Sequence, residues 1–372
     1  MNILRRLPLS RLLLLSALVI AIGVSATALA FAIGAGPTPP PKPLAQAVHD
    51  ALGPQAGESI HGLSASIQFT DHLLEGANLA SGDGGAGGGN EITSNPLITG
   101  ASGRLWIDKA GHARLELQSE SGDTQILWDG HTLELYDAAT NTLYRYTPPA
   151  QEGRSDEGSP DTQQHEAPSV AKIEEAIAHL DKHADVSGAT PTDVAGQPAY
   201  TVRISPKETG SLLGGAELSW DADNGVPLRT AVYSAATSAP VIELVASEVS
   251  FGAVDSSVFS FAPPAGAKIE EIKISEGSDH TTAQGNDTGE KPKVTTHGHG
   301  PATIAVIETK SKGGDSASES LGPLPKVKVG GVSADELRTE LGTVLTFVRS
   351  GVRYVVAGAV SPAAVEEVAR GL

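Results

Sequence analysis

The chain has 372 residues, 40% of them apolar, which is enough for two domains and a sizeable core. Its 44 acidic and 26 basic side chains give a formal net charge of −18, which opposes attraction to phosphate backbones and argues against nucleic-acid binding. There is no Cys, so disulfides, thiolate metal sites, Cys nucleophiles and a lipid-modified Cys are excluded.

Arg5, Arg6 and Arg11 precede an apolar run from Leu12 to Ala35, and no acidic residue occurs before Asp50. A basic flank followed by an apolar run predicts export or anchoring, with the Arg side inside the cell. Ala28-Leu29-Ala30 fits a cleavage site, but the run continues through Ile33, and roughly 20 apolar residues span a bilayer. The expectation is a retained anchor with the bulk of the chain outside the cytoplasm, or a secreted protein if the segment is cleaved. Pro37 to Pro43, PTPPPKP, reads as a stiff spacer, which places residues 1–43 outside the folded part.

Leu44, Val48, Ala51 and Leu52 recur at helical spacing until Gly53-Pro54, and LSASIQF then alternates as a strand. The run SGDGGAGGGN, from Ser81 to Asn90, formally holds G-x-G-x-x-G. It has neither a feeding apolar strand nor a following helix, so it predicts a loop and no dinucleotide site. From Gly103 a meander follows, GRLWIDK, HARLELQ, DTQILWD, HTLELYD and TLYRYT, with Asp129-Gly130 read as a two-residue type I′ turn. The polar stretch QEGRSDEGSPDTQQHEA reads as loop. The next segment sets Val170, Ile173, Ile177, Leu180 and Ala184 on one stripe of a helix over 169–184.

AYTVRIS, AELSWDA, VPLRTAVYS and VIELVASEVSF resume the sheet, with a turn at Asp223-Asn224-Gly225, and VFSFAPPAGAKIEEI closes the unit. Strand runs interrupted once by a helix predict an α+β fold with an antiparallel sheet. Residues 275–300 read as a linker. Beyond it, 301–372 predicts a small strand–helix unit: strands TIAVIET, VLTFVRS and VRYVVAG, a capping-box helix SADELRTEL with Ser333 and Glu336, and a last helix SPAAVEEVAR stopped by Gly371.

Catalytic chemistry finds no support. No G-x-S-x-G elbow occurs and no carboxylate pair is identifiable. His179 and His183 lie four apart on a helix without a third ligand, and His297 and His299 sit in a Gly-rich coil, so neither pair predicts a metal site. The expectation is a non-enzyme with no cofactor and no metal. Two helices, about seven turns together, are scant cover for so many strands. The uncovered apolar face is either filled by the protein's own side chains or left as a cavity for a hydrocarbon guest.

Gly103–Asp108 (GRLWID), Ala113–Leu117 (ARLEL), Leu127–Asp137 (LWDGHTLELYD), Asn141–Tyr144 (NTLY) and Val258–Ala267 (VFSFAPPAGA) resemble, in that order, the LolA-like superfamily of lipoprotein carriers and RseB/MucB stress-sensor domains. The resemblance covers residues 44–274; the C-terminal part is similar to a module appended to some actinobacterial members. It implies a curved antiparallel half-barrel whose lid helices cover a cavity for acyl chains of a lipid or lipoprotein. Leu115, Leu117, Leu127, Leu133, Leu135, Ile173, Ile177 and Leu180 would line that cavity. Lys109 stands where carriers have a lid-latching Arg, without the planar fork. The alternative implied by the resemblance is a membrane-associated sensor that binds a membrane protein such as an anti-sigma factor.

Overall fold

The computed structural model describes residues 36–53, 56, 60–74, 100–119, 122–148, 167–272, 293–310 and 324–372. The predicted anchor, the Gly-rich run at 81–90, most of the polar stretch after residue 150 and the linker up to 292 lie outside these residues. Among the described residues no helix is long and apolar enough to cross a membrane.

Helix α1, Leu44–Leu52, leads into β1, Gly62–Asp71. The meander follows as β2 (Ala101–Asp108), β3 (Ala113–Ser119), β4 (Gly122–Trp128), β5 (Leu133–Asp137) and β6 (Thr142–Tyr146). Helix α2, Val170–Leu180, starts at Ser169, whose hydroxyl accepts from the Lys172 N–H. It is shorter than the predicted 169–184, because the chain turns at Asp181 and Ala184–Val186 becomes β7. Strands β8 (Thr190–Val194), β9 (Gln197–Pro206), β10 (Leu213–Asp221), β11 (Pro227–Ser234), β12 (Pro240–Ser250) and β13 (Lys268–Ile272) complete the sheet.

Its strand order is β13-β6-β5-β4-β3-β2-β1-β12-β11-β10-β9-β7, with β8 also on β9. The two ends do not meet, so this is an open curved sheet, the α+β half-barrel class expected. All neighbours pair antiparallel except β13, which lies parallel to β6. At Gly103 a Cβ would come within 2.0 Å of the Glu116 carbonyl oxygen, so only glycine allows β3 this close at that bend.

The β4–β5 hairpin differs from the predicted turn by one residue. Trp128 pairs with Leu133, leaving Gly130 and His131 as the central pair, and of these only Gly130 has positive φ, 91°. That is the type II′ requirement, not type I′. Asp129 instead accepts the His131 and Thr132 N–H groups through its carboxylate.

The proline stretch is not only a spacer. Pro39 is buried, the Pro40 carbonyl accepts from the Tyr200 hydroxyl at 2.6 Å, and Lys42 bridges to Ala189 and pairs with Asp50 at 2.7 Å.

A second sheet, β14-β15-β19-β18-β17-β16, forms the C-terminal unit. Its strands are β14 (Lys293–His297), β15 (Ile304–Lys310), β16 (Lys326–Val329), β17 (Val332–Arg338), β18 (Thr343–Arg349) and β19 (Val352–Gly358), packed under helix α3, Pro362–Arg370. Two expectations are corrected here. Lys293–His297, read as linker, pairs with β15. SADELRTEL, read as a capping-box helix, is strand β17: Ala334 and Glu336 are each 1% exposed on the covered face, and Glu336 binds Arg338 at 2.6 Å in place of any N-cap contact. Pairing with β16 and β18 supplies the backbone bonds that the helix would have made.

Candidate functional site

Cross-strand partners share a face, so register traces one surface across the whole sheet. One row runs Leu63, Ile107, Ala113, Trp128, Leu133, Tyr146 and, on β13, Ile272. The next runs Ala65, Leu105, Leu115, Ile126, Leu135 and Tyr144. The third, Ile67, Gly103, Leu117, Thr124, Asp137 and Thr142, turns polar from β4 onwards.

The same face continues through β12 as Val249, Ala246, Leu244 and Ile242, and then as Val232, Ala216, Leu218, Val202 and Tyr200. There it is filled. Ala47, Tyr200, Val202, Ala216, Leu218, Trp220 and Val232 form a buried cluster against which Leu44, Val48 and Ala51 of α1 pack. Tyr200 and Trp220 set their ring centroids 6.2 Å apart. Helix α2 packs on α1 and β7, and the Pro168 carbonyl before it meets His49 Nδ1 at 2.8 Å.

Over β2 to β6 the face is covered less. Leu105, Ile107, Leu115, Ile126, Trp128, Leu135, Tyr144 and Tyr146 are only half-buried, while Leu133 is 39% and Ile272 46% exposed. The two rows are apolar over four inter-strand steps of about 4.8 Å, roughly 19 Å in all. This half-covered apolar trough is the candidate site.

Of the predicted lining residues, Leu115, Leu117, Leu133 and Leu135 share this face. Leu127 does not. It pairs with Arg114 and Glu134 on the opposite face, where it is 5% exposed. That face is closed by the segment after β12: Arg114 donates to the Val258 carbonyl at 2.7 Å, His112 meets Phe259, and Tyr136 meets Phe261 at 5.3 Å. Ile173 is buried in α2, with Ile177 and Leu180 half-buried, beside α1 and β7 and away from β5 and β6 in strand order. Lys109 is exposed in the β2–β3 turn, which Asp108 holds by accepting from the His112 N–H at 2.9 Å and facing its Nδ1 at 2.6 Å.

The prediction omitted Leu105, Ile107, Ile126, Trp128, Tyr144, Tyr146 and Ile272. The signal was the hairpin register. Once Trp128 pairs with Leu133, alternation puts Trp128 and Ile126 on the trough and Leu127 on the reverse.

The reverse face of β9–β12 is ionic. Glu217 accepts from Arg229, Arg203 and the Tyr233 hydroxyl, and Arg229 also pairs with Glu243 at 2.6 Å. Burial pushes the Glu217 carboxyl up, but bonds from Arg229 and Tyr233 and the charges of Arg229 and Arg203 outweigh it and hold it below its ordinary value. Over β9–β12 these ion pairs therefore lie on the face opposite the Tyr200–Trp220 cluster.

At the far ends of β1, β2 and β3 an open cleft of about 570 Å³ is lined by residues that include Gln68, Phe69, Asp71, Ser102 and Gln118. Burial raises the Asp71 carboxyl above its usual range, although it accepts the Leu73 N–H. His179 and His183 have ring centroids 6.2 Å apart, and among the described residues no three His, Asp or Glu side chains gather as a metal set.

No family model and no curated relative matches the chain. Among solved structures it is similar to the MucA/MucB complex of Pseudomonas aeruginosa, with TM-score 0.44 and 16% identity over 88% of this chain and 96% of that one. A conserved protein of Thermus thermophilus gives TM-score 0.34 and 11% identity over 62% and 97%. A putative outer membrane lipoprotein-sorting protein domain of Vibrio parahaemolyticus gives 0.21 and 9% over 58% and 94%. At these values the likenesses assign no role to any residue here.

Proposed function

We propose that this protein is an extracytoplasmic binding protein that holds acyl chains of a lipid or lipoprotein in the trough over β2–β6, tethered or exported by its N-terminal segment. The observation that carries this reading is the pair of apolar rows left half-covered on the helix side, while the other half of the same face is packed by α1. Water on those rows is displaced by a hydrocarbon at about 0.8 kcal/mol per buried CH₂. Their length of roughly 19 Å exceeds the ~15 Å half-thickness of a bilayer's hydrocarbon core, so one acyl chain fits across them. Leu115, Leu117, Leu133 and Leu135 lie on the floor's face and Lys109 stands at the rim where a lid would latch, whereas Ile173, Ile177 and Leu180 pack beside α1 and β7 and do not cover this trough.

The test is mass spectrometry of an organic extract of the purified full chain. The expected result is lipid in near-stoichiometric amount; an extract with none would sink the reading. A second reading, a regulator that grips a membrane protein such as an anti-sigma factor, is favoured by the C-terminal unit fastened to the half-barrel through the Leu212 N–H and the Ala359 carbonyl at 2.7 Å. A lipid-free extract, together with capture of a membrane protein that is lost on removing 301–372, would establish that alternative.

A further inference from the structure

Antiparallel pairing sorts the strand ends of the half-barrel onto two rims. One rim holds the starts of β1 and β9, the β2–β3, β4–β5 and β10–β11 turns, and the ends of β6 and β13, since Gly62 pairs with Asp108, Trp128 with Leu133, Trp220 with Pro227, Val194 with Gln197 and Tyr146 with Ile272. The other rim carries the C-terminal unit. There the Leu73 carbonyl just past β1 accepts from the Glu340 N–H, and Leu212 just before β10 donates to the Ala359 carbonyl.

The apolar run Leu12–Ala35 joins the fold at the first rim. Gly36 lies so close to the Asp193 carboxylate, near the end of β8, that a Cβ there would overlap it. The chain then follows β8 back towards its start: Pro39 is buried, the Pro40 carbonyl is held by the Tyr200 hydroxyl, and Lys42 bridges Ala189 in antiparallel sense. A free polyproline spacer of seven residues would set the fold about 22 Å from the end of the run. Fastened along β8, it sets no such distance, and the surface that holds the run lies against this rim.

The open corner of the trough is on the same rim, at the other edge of the sheet. Trp128, Leu133, Tyr146 and Ile272 follow one another across β4, β5, β6 and β13 in the row nearest the turns. Leu133 and Ile272 are exposed, and the half-buried Trp128 and Tyr146 each carry a polar tip on an apolar body, the side-chain type that sits between hydrocarbon and headgroups. The exposed charges of this rim are mixed, among them Lys109, Asp129 and Asp223, and the chain's net charge of −18 opposes an anionic leaflet.

We propose that this rim is a membrane-docking surface: the N-terminal run holds the β8 edge, and the Trp128–Ile272 corner rests in the interface of a zwitterionic leaflet. One attachment leaves the fold free to swing, and a second at the opposite edge fixes it with the trough's open corner at the lipid and the C-terminal unit away from it. The proposal rests on the N-terminal run being a retained tether, and it deepens the acyl-chain reading by placing entry at the bilayer.

The test uses the full chain, which has no Cys, reconstituted into phosphatidylcholine vesicles containing lipids with a nitroxide on the headgroup. A fluorophore on His131→Cys, in the β4–β5 turn outside the trough, is quenched, and one on Thr209→Cys, between β9 and β10 at the other rim, is not. Adding Leu133→Asp and Ile272→Asp to the His131→Cys protein removes the quenching while the chain stays on the vesicles. No quenching at His131, equal quenching at both sites, quenching that survives the two Asp changes, or a chain that does not stay with the vesicles overturns the inference. The lipid extract judges the acyl reading separately. Lipid in the extract with His131 unquenched leaves that reading standing alone, and a lipid-free extract with His131 quenched leaves the docking standing without it.

Discussion

The two halves of the helix-side face are built from the same strand pattern and end differently. Over β9–β12 the face carries Tyr200 and Trp220, 1% and 3% exposed, and α1 lays Ala47, Val48 and Ala51 into them. Over β2–β6 its first two rows carry Leu, Ile, Trp and Tyr that are only partly buried, although Leu117 in the third row is 2% exposed. What differs is the cover. α1 is tied at Lys42–Asp50 and through the Pro40–Tyr200 bond to the β9 side, and α2 follows it through Pro168 and His49.

The comparison breaks if the two Trp residues behave alike. Trp220→Ala should cost about 4 kcal/mol, the range for an aromatic deleted from a filled core. Trp128→Ala, half-buried in the open half, should cost no more than about 2 kcal/mol. Denaturant midpoints of the two variants decide this, and equal losses would mean that the halves are equally packed.

Leu127→Ala should cost about 3 kcal/mol, because Leu127 is buried beneath the Val258–Phe261 segment. It should leave the lipid content of an organic extract unchanged. Lost lipid in a folded Leu127→Ala protein would place the guest on the wrong side of the sheet.

Glu217→Gln should cost about 2 kcal/mol at neutral pH, since it leaves Arg229 and Arg203 without their shared carboxylate. The sign of the pH effect follows from the depressed carboxyl. The folded-state value lies below the ordinary 4.5, so the contribution is complete above about 4.5 and is lost as pH falls through the folded-state value. Stability measured across that acid range should lose part of its slope in the Gln variant, and an unaltered slope would refute the assignment.

The smallest effect on stability is expected at Leu133→Asp, within about 0.5 kcal/mol because the side chain is already 39% exposed. Lipid retention should fall sharply in the same protein, read by mass spectrometry of the extract. Retention equal to that of the unaltered chain would remove Leu133 from the trough floor.

By itself the sequence determined the elements whose causes are local. Period-two alternation in GRLWID, ARLEL and LELYD shows strands, and the stripes read over 44–52 and 169–184 show helices, the second of which ends early at Leu180, because one side of each must leave water. The α+β half-barrel followed from that order together with the motifs. Tertiary structure decided the rest, for one physical reason: alternation shows that a strand has two faces but not what covers each. Leu127 and Leu115 look alike along the chain, and only pairing with Arg114 and Ile126 separates them. SADELRTEL satisfies a helix cap locally, yet pairing on both sides makes it a strand. The parallel seat of β13 on β6 and the seat of Leu341 on Trp220's cluster join segments over a hundred residues apart, and no local pattern encodes such contacts.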